Sequence, residues 1–209
     1  GPGRRPDEPV VRPPKGVPRK SDQLEGRNVV VEVFRRERRG VHRVWIDDRA
    51  KPDAKITEIE TLAAQSGCLI ERMPRDALDE RSVAGVHNGV LAWAEPLPTQ
   101  TLREILDGVF TKGELPFIVL LDEVNYEHNL GAVLRSAMGA GVHAVVVPVR
   151  RGKGLTPVVQ RVAMGGAEVV PVVREGLSSA LATLRREWIR VVGADMGGKA
   201  YWKVPMSGA

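Results

Sequence analysis

The sequence has little of what marks a secreted, membrane-spanning or metal-binding protein. Its single cysteine, Cys68, excludes a disulfide within the chain, so a reducing compartment fits best. No apolar run reaches the ~20 residues that a membrane-spanning helix needs, and no signal peptide is recognisable. The four histidines and the cysteine show no metal-ligand spacing. These absences predict a soluble cytoplasmic protein without a bound metal, in which Cys68 is a buried structural thiol.

Positive charge is concentrated towards the two ends of the chain. Residues 1–20 carry six Arg and Lys against two Asp and Glu, residues 117–209 carry eleven against seven, and residues 24–97 are nearly balanced. This distribution favours nucleic acid as a partner, although a basic tail is also a common solubility feature. The first stretch is rich in Pro, Gly and Arg, so residues 1–23 are predicted to be a disordered basic tail.

Residues 24–97 alternate between helical and strand periodicities. Val29, Val30, Val33 and Phe34 recur at helical spacing and predict a helix that continues to about Arg39. The strands that complete this small α/β domain are predicted at Arg43–Asp47, Cys68–Ile70 and Gly89–Ala94. The first helix also carries a basic cluster, which is interpreted either as a solvated helix end or as a contact for nucleic acid. Its members are Arg35, Arg36, Arg38 and Arg39.

Residues 116–209 predict a parallel sheet built from strand–helix–strand units, with residues 98–115 as the linker before it. A buried strand over Ile118–Leu121 leads into a helix over Leu130–Ala140, whose N-cap would be Asn129. A second strand follows at Ala144–Val147. Further strands are predicted at Glu168–Val173 and Ile189–Ala194. The chain is therefore predicted to be an α/β protein whose ligand lies at the carboxyl ends of the parallel strands.

The stretch LDEVNYEHNLGAVLRSAMGAGVHAVVVP resembles the first motif of the SpoU/TrmH branch of the SPOUT RNA methyltransferases, in which an Asn-x-Gly turn is followed by Arg. The resemblance continues through VVQRVAMGGAEVVPVV and IRVVGADMGG. Upstream, LEGRNVVVEVF and DERSVAGVHNGVLAWAEP resemble the ends of the ribosomal-protein-like domain that binds RNA in the bacterial enzymes that methylate a guanosine of large-subunit ribosomal RNA. The resemblance implies a trefoil-knot methyltransferase domain, S-adenosylmethionine as cofactor, transfer to a ribose 2′-hydroxyl and a homodimer.

The same resemblance implies roles for individual residues. Arg135 would lie at the ribose 2′-hydroxyl, and Asn129 would organise the motif turn. The cofactor's adenosine would be contacted by Gly193, Ala194 and Asp195. Four residues border the RNA-facing turns, where they either contact RNA or hold the turns: Arg27, Asn28, His87 and Asn88. A basic loop adds Arg150 and Arg151 as further RNA contacts.

Two departures from the family pattern bear on activity. Tyr126-Glu127 stand where the family has Asp-Pro, so the motif turn is expected to follow another path. The family's Gly-x-Glu-x-x-Gly loop and its Ser-Leu-Asn segment have no counterpart before Ala209. We therefore expect an incomplete cofactor pocket, and an alternative function is a non-catalytic or truncated RNA-binding protein.

Overall fold

The computed structural model describes residues 12–149 and 154–205, which form two α/β units. The N-terminal unit consists of β1 (Asp22–Glu25), α1 (Arg27–Arg36), β2 (Val41–Asp47), α2 (Ala54–Ser66), β3 (Leu69–Met73), α3 (Arg75–Asp79) and β4 (Val90–Ala94). The C-terminal unit consists of α4 (Leu102–Thr111), β5 (Ile118–Leu120), α5 (Glu127–Ala140), β6 (Ala144–Val147), α6 (Pro157–Ala163), α7 (Gly166–Val169), β7 (Val172–Arg174) and α8 (Leu177–Arg186), followed by a 3₁₀ turn at Tyr201–Lys203. Each unit contains one sheet, and the α/β fold class is confirmed.

The N-terminal sheet is covered on both faces by its own unit. Its strands lie in the order β1-β4-β2-β3, with β2 and β3 parallel and the other pairs antiparallel. Because side chains alternate along a strand, Val44 and Ile46 of β2 face one core with α1 and α2. Trp45 faces the opposite side, where it meets Leu78 of α3 and Trp93 of β4. Strand β4 and the second half of β2 are therefore buried from both sides, whereas the edge strand β3 is largely exposed.

Part of the stretch predicted as a disordered tail belongs to the N-terminal unit. Asp22 and Gln23 already belong to β1, and Val17 packs into the cluster around Trp45 and Trp93. The prediction of disorder is therefore wrong for this part of the segment, because one valine and a strand register tie it to the sheet. Residues 1–11 lie outside the described residues.

The C-terminal sheet has three described strands, all parallel, in the order β5-β6-β7. Val145 and Val147 of β6 face α5 and α6, whereas Val146 faces α4 and α8. The stretch predicted as a linker contains the helix α4, which covers one face of this sheet. A capping box starts α4, in which the Thr101 side chain accepts from the Glu104 N–H and Glu104 accepts from the Thr101 N–H.

Two predicted strands differ from the structure. Gly165 has φ 93° and starts the short helix α7, so β7 covers only Val172–Arg174 instead of Glu168–Val173. The strand predicted at Ile189–Ala194 is absent, and this stretch is coil in which Val191 is 42% exposed. An apolar run without a neighbouring strand to pair with has no ladder hydrogen bonds to form.

Candidate nucleic-acid interface

The helix that carries the motif, α5, begins earlier than its sequence suggests. Tyr126 is the N-cap residue, without a side-chain cap hydrogen bond, and Glu127 is already helical. Asn129 is therefore inside the first turn and exposed, so the prediction that it caps the helix is wrong. The carboxylate of Glu127 suits the first turn of a helix, where it complements the helix dipole. A helix that starts this early needs no cap at Asn129.

Arg135 lies on the exposed side of α5 and lines a cavity between the two units. The cavity has a volume of about 260 Å³, and its walls are formed by α1, α2 and α5 together with the end of α6. The lining residues are Asn28, Val31, Glu32, Arg35, Lys55, Glu58, Arg135, Met138 and Met164. Among the described residues, the guanidinium of Arg135 has no hydrogen-bond or acidic partner. It is thus available to an external anion.

Two glycines bring neighbouring helices against α5. A Cβ added at Gly131 would lie 2.5 Å from Cβ of Val162, so α6 crosses α5 closely at this point. A Cβ added at Gly166 would lie 2.7 Å from the carbonyl oxygen of Leu134. The start of α7 therefore rests on the backbone immediately before Arg135, and these close approaches hold the helix that presents its guanidinium.

The two units meet at a buried cluster of charged side chains centred on Arg39. Its guanidinium donates to Asp22 at 2.9 Å and to Gln160 at 2.6 Å, and it also forms an ion pair with Glu168. The side chains of Arg39 and Glu168 are 0% and 1% exposed. Burial raises the pKa of Glu168, against the opposing effect of Arg39, and burial likewise raises the pKa of Asp22. One arginine of the predicted basic cluster thus joins the units from inside.

The turns of the N-terminal unit are tied together by hydrogen bonds. Arg27 donates to the Asn88 carbonyl at 2.8 Å and pairs with Asp53, and Asn88 has φ 51°. His87 is 2% exposed, its Nε2 is 2.7 Å from Asp79, and its Nδ1 accepts from the Gly89 N–H at 3.0 Å. Both ring nitrogens of His87 are therefore occupied inside the turn, which is the structural role predicted for it as the alternative to RNA contact; RNA contact by His87 stays a prediction.

Glu25 fixes the loop that precedes His87. This fully buried carboxylate accepts from the N–H of Val83 at 2.7 Å and from the Ser82 hydroxyl at 2.5 Å. Ala84 N–H also donates to it at 3.2 Å. The loop at this end of the sheet is consequently held in one shape by a buried anion, which the sequence did not reveal.

The predicted cofactor contacts are not assembled among the described residues. Gly193, Ala194 and Asp195 are exposed coil, and nothing lies within 4 Å of a Cβ added at Gly193. A larger cavity of about 1060 Å³ lies at the carboxyl end of β7, where Leu155 and Val172 contribute to its walls, but none of those three residues lines it. Gly193, Ala194 and Asp195 therefore line neither of these two cavities, and their contact with the cofactor stays a prediction.

Cys68 is only partly buried, not buried as predicted, but this burial still raises the pKa of its thiol to about 11, as for an unreactive thiol. The described residues contain no group of His, Cys, Asp or Glu arranged to hold a metal ion, and none of the described helices is long and apolar enough to cross a membrane. Arg150 and Arg151 lie outside the described residues.

Comparisons with known proteins match both units. The sequence profile of the SpoU rRNA Methylase family matches residues 116–208, and the profile for RNA 2′-O ribose methyltransferase substrate binding matches residues 23–100. YacO of Bacillus subtilis, named as a TrmH family tRNA/rRNA methyltransferase, is 33% identical over 180 residues, which cover 85% of this chain and 71% of YacO. The chain belongs to the SpoU/TrmH family of RNA methyltransferases.

Other members of the SpoU/TrmH family agree in sequence and in fold. The 23S rRNA (guanosine-2′-O-)-methyltransferase RlmB of Escherichia coli is 34% identical over 174 residues, covering 83% of this chain and 71% of RlmB. A solved RNA 2′-O ribose methyltransferase superposes with a TM-score of 0.68 at 23% identity, covering 88% of this chain and 67% of that one. AviRb of Streptomyces viridochromogenes gives 0.61 at 19% identity, covering 81% and 59%.

The structure brings together some of the residues predicted from the family motif and separates others. Asn28 and Arg135 line the same cavity, and Arg27 contacts Asn88. Asn129 does not line that cavity. It lies six residues before Arg135 on α5, so the two side chains point about a third of a turn apart around the helix axis. Lys55 also lines this cavity but was not among the predicted residues, because its only signal in the sequence is its place two residues after the helix cap Asp53.

Proposed function

We propose that the protein takes part in S-adenosylmethionine-dependent methyl transfer to a ribose 2′-hydroxyl of RNA, with a guanosine of large-subunit ribosomal RNA as substrate. The observation that carries this proposal is the match over both units to relatives with that activity in their names, at 34% identity for RlmB. AviRb has been solved in complex with AdoMet, which supports the same cofactor for this chain. The N-terminal unit would bind the RNA, and the C-terminal unit would carry out the methyl transfer.

Arg135 is the residue proposed to act at the reacting oxygen. S-adenosylmethionine supplies the methyl group when bound, and the ribose oxygen loses its proton as it attacks. A guanidinium stays protonated in proteins, so Arg135 is unsuited to be a general base. Its exposed cation instead suits stabilisation of the negative charge that develops on the oxygen, or of the adjacent phosphate.

The remaining site residues stay predictions within this proposal. Arg27, Asn28 and Asn88 are assigned to RNA contact, and Gly193 to Asp195 to cofactor contact after a rearrangement of the exposed coil. Residues 24–97 would be the RNA substrate-binding domain and residues 116–209 the methyltransferase domain. Since α4 packs on the second sheet, we assign α4 to the latter. A cytoplasmic homodimer is proposed by analogy with the family.

Methyl incorporation tests the proposal directly. The protein is incubated with tritiated S-adenosylmethionine and large-subunit ribosomal RNA, and 2′-O-methylation is located by resistance of the modified position to alkaline cleavage. Arg135→Ala is expected to lower turnover by about 10²-fold or more, a far larger loss than its loss of RNA affinity, because its charge stabilisation acts mainly in the transition state.

Arg190→Ala is the matched control, because it removes the same charge from an exposed position that lines neither cavity described above. It should leave turnover unchanged. Equal turnover in the wild type and Arg135→Ala would remove Arg135 from the mechanism.

A second candidate is an RNA-binding protein without catalysis. It is favoured by the exposure of Gly193, Ala194 and Asp195, since a chain that cannot form the adenosine contacts cannot hold the methyl donor. Saturable RNA binding with no methyl incorporation at any S-adenosylmethionine concentration would select this candidate.

A further inference from the structure

The cavity beside Arg135 is built from both units. The N-terminal unit contributes Asn28 and Val31 from α1 and Lys55 from α2, and the C-terminal unit contributes Arg135 and Met138 from α5. Its volume of about 260 Å³ is slightly below the ~300–1,000 Å³ of pockets that enclose a whole small molecule. A site of this size suits part of a longer ligand that continues past it on either side.

The acidic residues of this cavity are already neutralised. Glu58 accepts from Arg35 at 2.7 Å. Glu32 accepts from Arg35 and from Arg36, each at 3.1 Å. The two carboxylates are thus paired with two guanidinium groups. The net charge of the cavity therefore depends on its other charged side chains.

Two cations of the cavity have no carboxylate partner among the described residues. Lys55 donates to the neutral side-chain oxygen of Asn28, and Arg135 has no partner there at all. They belong to α2 and α5, one from each unit, and they leave the lining of the cavity with a net positive charge. A phosphate could accept from both, and the Lys55–Asn28 contact would orient the ammonium towards it.

The rest of the lining is apolar and flexible. Val31, Met138 and Met164 contribute side chains without charge, and methionine adapts to flat or irregular ligands. Met164 ends α6 with φ 52°, a left-handed conformation that non-glycine residues rarely adopt and that occurs often at functional sites. This surface suits the face of a sugar or a base beside the phosphate.

We infer that this inter-unit cavity binds one nucleotide of an RNA strand, with its phosphate between Lys55 and Arg135 and its sugar or base against Met138 and Met164. The inference rests on the proposed function, because it identifies where the RNA strand passes Arg135. It adds Lys55 of the N-terminal unit as an RNA-binding residue, so that both units of one chain hold the same nucleotide.

The test measures binding of a fluorescently labelled 20-nucleotide RNA hairpin, with a guanosine in its loop, to the full chain over a series of salt concentrations. Lys55→Gln is expected to weaken binding about 3- to 10-fold at 0.1 M salt. It should also reduce the slope of log Kd against log salt by about one, because one phosphate contact is lost. Lys51→Gln is the matched control, since it removes the same charge from an exposed site four residues away that does not line the cavity.

A double-mutant cycle then asks whether Lys55 and Arg135 share one phosphate. If they do, Lys55→Gln should cost less affinity in an Arg135→Ala background than in the wild type. Equal effects of Lys55→Gln and Lys51→Gln on Kd and on the salt slope would overturn the inference. Strict additivity with Arg135→Ala would overturn the shared phosphate.

This outcome is separable from that of the proposed function. If Lys55→Gln weakens hairpin binding as expected but no methyl transfer occurs, the inference stands and the catalytic proposal fails. If methyl transfer to ribosomal RNA occurs and Lys55→Gln leaves both Kd and turnover unchanged, the catalytic proposal stands and the inference fails.

Discussion

The two units differ in how deeply their aromatic side chains are buried. In the N-terminal unit, Trp45 and Trp93 are 3% and 2% exposed and lie within its core. In the C-terminal unit, Phe117, Tyr126 and Trp202 are 47%, 71% and 72% exposed. Burial of apolar area is the main favourable contribution to folding, so the first unit is stabilised mostly from within. The second keeps apolar surface exposed and shares a charged interface with its neighbour.

Substitution of Arg39 in the interface between the units is expected to have the largest effect on stability. Arg39→Met should lower the free energy of unfolding by about 3–5 kcal/mol, because it leaves the buried Glu168 and the partly buried Asp22 without their cation. Urea denaturation followed by circular dichroism measures the loss. We expect the C-terminal unit to lose structure first, since its aromatic side chains Phe117, Tyr126 and Trp202 are exposed and contribute little apolar burial.

The control for Arg39 comes from the same helix end. Arg36 is half exposed and pairs with Glu32 on the surface, so Arg36→Ala should cause a much smaller loss. The double variant Arg39→Met with Glu168→Leu should recover much of the stability, because the orphaned charge is removed as well. Similar losses for Arg39→Met and Arg36→Ala would show that the buried cluster does not join the units.

A second test concerns packing inside the C-terminal unit alone. Gly131→Ala should lower the free energy of unfolding by about 1–3 kcal/mol, because the added methyl group meets Val162 at 2.5 Å and the Val159 carbonyl at 2.9 Å. Gly139→Ala on the same helix meets nothing within 4 Å and should stabilise by at most ~1 kcal/mol. Thermal unfolding should thus give midpoint shifts of opposite sign. Shifts of the same sign would contradict the close helix crossing.

Much of the fold could be predicted from local sequence patterns, because helices and strands depend largely on residues that are close in sequence. The alternation of Val44, Trp45 and Ile46 places side chains on two faces of a strand, as the structure confirms. The strand predicted at Ile189–Ala194 failed because an apolar run has strand geometry only when another strand lies beside it. Asn129 failed as a cap because Glu127 extends the helix by a turn.

The site was less predictable than the fold, because its contacts are distant in sequence. Arg39 and Glu168 are separated by 129 residues, and nothing near either residue indicates that the two will be buried together. The motif resemblance drew attention to Arg135 but carried no information about Lys55, which reaches the cavity only through the packing of the two units. Resemblance identifies residues one at a time, whereas a binding site depends on which surfaces meet.

The smallest expected effect concerns the titration of the shared interface. Because burial raises the folded pKa of Glu168 above its ordinary value of 4.5, the folded protein binds more protons than the unfolded chain just above that pH. The stability that protonated Glu168 contributes is therefore fully present below pH 4.5, and it is lost as pH rises through the folded pKa of Glu168. Glu168→Gln should make the free energy of unfolding depend less on pH between 5 and 7. Glu104→Gln should leave that dependence unchanged, since hydrogen bonds from Thr101 lower the pKa of Glu104 and it is ionised throughout the range. A wild-type protein that gains stability relative to Glu168→Gln between pH 5 and 7 would mean that Arg39 outweighs burial in setting this pKa.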